Sequence, residues 1–178
     1  MSGRIVHRVH AASIGFIGVA AMLLTGCTSD EPDRSGTLSA VSALEGTWRT
    51  PPISPRDAED TLRRHGLEKW VERFRPESPI KPDTVLILHI HDLEWDLYGS
   101  SDGGPREEID YDAAMQVSGR KVEVVHRTGS TTYRWSVDDG HLLKLTWLST
   151  TQPPYRGIPD EVFQRVLYMT QDFTKSTG

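Results

Sequence analysis

Cysteine occurs once in this chain, at Cys27, so no internal disulfide can brace the fold and the domain must bury its apolar surface unaided. Long apolar runs are also scarce. Ala11–Leu24 is about fourteen residues long, whereas a bilayer-spanning helix needs about twenty. There is no lysine-bearing phosphate loop. The glycines of Ser101-Asp102-Gly103-Gly104 precede a strand pattern, so they cannot hand a phosphate to a helix N-terminus. Internal repeats and low-complexity tracts are missing. Positive charge is in short supply, with a formal net charge of −5. That balance argues against nucleic acid as a partner.

The first thirty residues have a distinct design. Arg4 and Arg8 precede the apolar run, and no acidic residue stands among them. The run ends Leu23-Leu24-Thr25-Gly26-Cys27, which resembles a bacterial lipobox. The resemblance implies cleavage before Cys27 and acylation of its thiol. It also implies attachment to the extracytoplasmic face of the cell membrane. No twin-arginine motif is present, so export through the general route is expected. With residues 1–26 removed, 18 basic residues face 25 acidic ones, a net charge of −7. Lipid, rather than a basic patch, would hold such a protein at an anionic surface. Residues 27–42 are polar, small and unpatterned and read as a flexible tether. About 140 residues then remain, a single domain over 43–178.

Within that domain a strand start at Gly46-Thr47-Trp48 meets a proline-rich break, Pro51-Pro52-Ile53-Ser54-Pro55. Ser54 suits a helix cap and Pro55 a first helical position. Gly66 then interrupts, and Leu67, Trp70, Val71 and Phe74 recur at helical spacing. The region 55–75 reads as a helix-turn-helix with one apolar face. From Asp83 the period changes to two. Thr84–Ile90 is an apolar run with β-branched residues, and His91-Asp92 is expected to turn the chain. Leu93, Trp95 and Leu97 alternate with Glu94, Asp96 and Tyr98, and Ile109, Tyr111, Ala113, Met115 and Val117 alternate with Asp110, Asp112, Ala114 and Gln116 after the turn at 101–105. Further strands are expected at 122–127, 131–137 and 142–148, the last two joined by Asp139-Gly140. Strands at this spacing predict an antiparallel meander of about seven strands, wet on one face. Closing it into a barrel would hide its edges. Residues 159–169 read as a C-terminal helix whose Val162, Phe163, Val166 and Met169 pack on the barrel.

At this point the chain resembles the lipocalin-like (calycin) barrels. Gly46-Thr47-Trp48 matches the Gly-x-Trp of their first strand, and the strand series 84–149 resembles small bacterial members. The helical insert is more like the lid of fatty-acid-binding proteins, and the cysteine pair usual in lipocalins is missing. The chain is also similar to secreted lipoproteins of actinobacteria. The resemblance implies an up-and-down barrel that holds a small apolar or amphipathic ligand and needs no cofactor.

The residues allow more than one chemistry. Trp48, Trp95, Tyr111 and Met115 fall on the expected inward face, together with Trp135, Leu145 and Trp147. They either line a ligand cavity or fill a small barrel. Trp70 and Phe74 of the insert either close one mouth or plug the core. His89 and His91 stand two apart on a strand, with rings about 7 Å apart on one face. Such a pair suits zinc only if a third ligand, such as His126 or His141, joins it. Otherwise both are wet rim residues, and no metal site is expected. Asp110 and Asp112, like Asp92, Glu94 and Asp96, alternate with apolar residues and are expected on the solvent face. Three roles follow: a lipid-anchored carrier that acts without chemistry, an accessory lipoprotein that docks a partner, or a zinc enzyme.

Overall fold

The described part of the chain, in a computed structural model, is residues 34–176; the side chains of Arg34, Ser35, Thr37, Tyr111 and Asp112 are outside it. The expected signal peptide and Cys27 also lie outside the described residues. Strand β1 (Gly46–Arg49) begins at a glycine for two reasons. Gly46 has φ +131°, and a Cβ there would sit 2.8 Å from Lys175 Cε. The Lys175 amine in turn lies 5.0 Å from the Trp48 ring centroid. Trp48 is fully buried, and its indole N–H donates to the Leu44 carbonyl at 2.7 Å.

The period-two region forms the expected meander. It runs through β2 (Val85–His91), β3 (Glu94–Ser100), β4 (Glu107–Ser118), β5 (Lys121–His126), β6 (Gly129–Asp138) and β7 (Leu142–Thr150). Each strand is antiparallel to the one before it. After helix α1 (Asp160–Met169), strand β8 (Phe173–Lys175) pairs with both β7 and β1 and closes the barrel. The described barrel therefore has eight strands, one more than the pattern suggested. It is consistent with the lipocalin-like fold. No helix among the described residues is long and apolar enough to cross a membrane.

Short β8 meets β7 only at Leu142 and Leu143. The rest of that edge is covered by α1, where the Trp147 backbone N–H donates to Met169 Sδ at 3.4 Å. The helix thus fills a breach in the barrel wall. Val162, Val166, Leu167 and Tyr168 are all buried, so it is covered on more than one face. Its outer side is braced by the insert, which contains helices α2 (Pro55–Arg64) and α3 (Val71–Phe74). The Ser54 hydroxyl accepts from the Asp57 N–H, and the Asp57 carboxylate accepts from the Ser54 N–H, so α2 starts in a capping box. Phe74 packs edge-on against Phe163 of α1, with centroids 5.4 Å apart.

Two local expectations are corrected. Residues 34–42 are not an unpatterned tether: Arg34–Leu44 form a helix, α4, that precedes β1. Val41 packs on the core and Leu44 is fully buried. A short helix that is marginal in isolation is stabilised by that docking. The β2–β3 turn falls on Asp92-Leu93 rather than His91-Asp92, with φ +49° and +65° at its two central residues. That is the twist a two-residue hairpin requires. Leu93 is consequently 47% exposed instead of inward.

Candidate functional site

Trp48 and Trp95 are the tryptophans buried in the barrel core. Trp95 lies parallel to Tyr133, with centroids 6.2 Å and planes 8° apart. Tyr168 of α1 packs against both rings, at 5.8 and 5.1 Å. Trp48 and Trp95 have no accessible surface, and Met115 and Leu145 are buried beside them. Trp135 and Trp147 are half-buried against the same core, and their indole N–H groups have no acceptor among the described residues. The Trp147 ring is covered by the Arg165 guanidinium, 4.6 Å from its centroid. Tyr111 lies in β4, and its side chain is outside the described set. The expected pocket residues thus include four that the fold packs into its interior. Trp70 is half-buried on the core, and Phe74 is buried under α1.

A different set of residues surrounds open space. At one end of the barrel lies a cleft of about 760 Å³. Its walls include Pro79, Ile109, Tyr155, Phe163 and Leu167, and its polar lining includes Asp110, His126, Asp160 and Gln164. Among the described side chains, none of the sequence-predicted pocket or lid residues lines it. The insert contributes indirectly, because Phe74 supports Phe163, and Phe163 packs edge-on against Tyr155 at 5.8 Å.

Asp110 reaches this site through a break in strand phase. Trp95 pairs with Ala113, but Leu97 pairs with Asp110, so β4 carries one extra residue there. Directly opposite residues share a face of the sheet. Asp110 therefore shares the inward face of buried Leu97, and its expected place on the solvent face is corrected. The bulge changes the parity that the alternation assumed. On the next strand, His126 follows Val122 and Val124 at period two and so also faces inward. Its Nδ1 lies 3.3 Å from Asp110 Oδ1.

A chain of hydrogen bonds ties the cleft to the core. Trp95 Nε1–H donates to the Tyr168 hydroxyl at 3.0 Å, and that hydroxyl donates to Asp110. The Tyr133 hydroxyl donates to Gln164 Oε1, and Gln164 Nε2 donates to Asp160 Oδ1 at 3.0 Å. Asp160 Oδ2 accepts from the Thr150 hydroxyl at 2.7 Å. Burial pushes both tyrosines well above the ordinary phenol value, so both keep their protons and remain donors. Burial also pushes Asp110 above the usual carboxylate range; His126 opposes the shift, and the Asp160 carboxylate adds to it.

The Asp110 shift has a consequence for stability. A carboxyl whose folded-state pKa is raised binds its proton more tightly when folded. Its contribution is complete in acid, below the ordinary carboxylate value, and is lost as pH rises through the folded-state value. Asp110→Asn removes that loss while keeping an acceptor for Tyr168. The variant should be more stable than the parent by on the order of 1 kcal/mol at about pH 7, with the gain gone at about pH 3. Urea melts at both values measure it. A gain that is the same at both would refute the account, as would a loss at neutral pH.

The four candidate histidines are dispersed. His89 Nε2 lies 3.4 Å from Arg106 Nη1, and its ring packs against Tyr98. His126 faces Asp110, and His141 Nδ1 lies 2.9 Å from the Asp139 carbonyl. Among the described residues, those close enough to share an ion are His91, Glu94 and Asp96, with the first two exposed. His89, His126 and His141 do not belong to that set.

No signal in the sequence pointed to the Asp110–His126 pair, because the bulge that creates it depends on how β3 meets β4. Compared with protein-family models, with curated proteins and with solved structures, the chain finds no match.

Proposed function

We propose that this protein is a lipid-anchored, extracytoplasmic binding protein that holds a small amphipathic molecule or cell-envelope component and performs no chemistry on it. The observation that carries this reading is the cleft of about 760 Å³, with apolar walls and a polar, hydrogen-bonded floor. That volume suits a small organic ligand. Covering about 200 Å² of apolar ligand surface would contribute about 5 kcal/mol before the cost of immobilisation is subtracted. The rigid floor would lower the ordering cost, since its side chains already hold one another.

Topology also supports a direction of access. Helix α4 runs into the start of β1, at the end where Gly46 pairs with Ile90 and the turns at Asp92-Leu93 and Asp139-Gly140 lie. The cleft is built at the other end, from Thr84, Ser101, Thr128 and Gln152. A lipid on Cys27, seven residues before Arg34, would tether the closed end. The ligand would then come from the compartment rather than from the bilayer. A second reading, an accessory module that docks a partner, is favoured by the packed centre, where Trp48 and Trp95 have no accessible surface.

Two measurements test the proposal. Cys27→Ala should move the protein from the membrane fraction to the soluble extracytoplasmic fraction; retention in the membrane would refute the anchor. Native mass spectrometry of that soluble protein, purified from its own host without detergent, should show an adduct of small-molecule mass. A bare mass throughout would favour the accessory module.

A further inference from the structure

The donors and acceptors at the floor of the cleft are out of balance, and this identifies the charge of the ligand. Four side-chain donors are already committed within the protein. Trp95 Nε1 donates to Tyr168, Tyr168 to Asp110, Tyr133 to Gln164, and Gln164 Nε2 to Asp160. The Thr150 and Thr131 hydroxyls are committed to Asp160 Oδ2 as well, at 2.7 and 3.4 Å, and His126 Nδ1 lies 3.3 Å from Asp110 Oδ1. An ionised carboxylate has about four lone-pair sites, so Asp110 and Asp160 each retain acceptor capacity. Higher on the walls the lining adds Asp102, Glu108 and two further carboxylates, Glu77 and Glu107. Cations already neutralise the last two: Arg156 lies 2.8 Å from Glu77, and Lys81 lies 2.9 Å from Glu107. The floor therefore offers negative charge and vacant acceptors, beside the aromatic wall of Tyr155 and Phe163.

Resting on the carrier reading, we infer that the ligand is an organic cation: an amine joined to an aromatic or alkyl body, with the amine donating to Asp110 and Asp160. An anionic ligand would meet like charge at the floor and find few free donors. A neutral one would leave Asp160 without counter-charge and Asp110 with only the His126 ring beside it. An ammonium group brings three donors and a positive charge, and its apolar body would lie against Phe163 and Tyr155.

The test uses the full chain carrying Cys27→Ala, so that no detergent competes. Three fluorescent probes are titrated, each a dansyl group on a five-carbon chain ending in a primary amine, a hydroxyl or a carboxylate. The amine should bind at least about tenfold more tightly than the alcohol, and the carboxylate should show no saturable binding. Asp110→Asn and Asp160→Asn should each weaken the amine about five- to tenfold and leave the alcohol unchanged. Glu68→Gln, on the exposed outer insert, should change neither. Far-ultraviolet circular dichroism establishes that each variant is folded. Equal binding of amine and alcohol would overturn the cation while leaving the carrier intact, as would preference for the carboxylate. Weakening of both probes by the aspartate variants would assign those residues to cleft shape and overturn the charge reading. Binding of none of the three would overturn both the cation and the carrier.

Discussion

Replacing Trp95 with alanine should destabilise the domain by about 3–5 kcal/mol. Two effects combine. The fully buried indole is removed from between Tyr133 and Tyr168, leaving a cavity at the centre of the barrel. The Tyr168 hydroxyl also loses the N–H that it accepts from, so a buried polar atom is left short of a partner. With a urea dependence of about 1–3 kcal/mol per molar, the unfolding midpoint should fall by more than about 1 M. Trp95→Phe, which keeps most of the volume but not the donor, should fall between the variant and the parent. A midpoint within about 0.3 M of the parent for Trp95→Ala would mean that the interior adapts as a liquid would, and the packed centre described above would be wrong. Such a loss is a large fraction of the about 5–15 kcal/mol that holds an ordinary domain together.

Ending the chain after Asp172 should prevent formation of a cooperative native state. The lost segment is short, but it closes the barrel. Phe173 is fully buried and packs on Tyr168 at 6.3 Å. Thr174 pairs with both Leu142 and Arg49, and Lys175 pairs with Trp48 and covers its ring. The Lys175 N–H also donates to the His141 carbonyl at 2.8 Å. Loss of Phe173 alone would cost about 3–5 kcal/mol, and exposing edges on β1 and β7 adds unpaired backbone groups. The truncated protein should retain far-ultraviolet circular dichroism, lose the near-ultraviolet signal and bind a hydrophobic dye. A control ending after Ser176 keeps the strand and should melt like the full chain. A cooperative melt of the shorter form within a few degrees of that control would show that β8 is not needed to close the fold.

These two variants mark different degrees of legibility. Trp95 is readable because it alternates with Glu94 and Asp96 in a strand pattern, which places it inward whatever the neighbours are. Strand β8 is hard to read because three residues, Phe173-Thr174-Lys175, carry too little pattern to separate them from a frayed tail. Its strand character comes from the two edges that it bridges. The helix cap at Ser54, the break at Gly66 and the helix at 160–169 were all legible, since each depends on residues a few positions apart. Helix α4 was not, because only two apolar residues, Val41 and Leu44, dock it and the rest of its sequence is indifferent.

The candidate site divides along the same line. The sequence by itself determined that a one-sided meander exists, that its aromatic side is interior and that the insert is helical, because alternation and capping are local properties of the chain. Only the tertiary structure decided that the centre is packed and that the open space lies at the end remote from α4. It alone turned Asp110 inward to meet His126, because one extra residue where β4 passes β3 reverses the parity on which any reading of the strand depends.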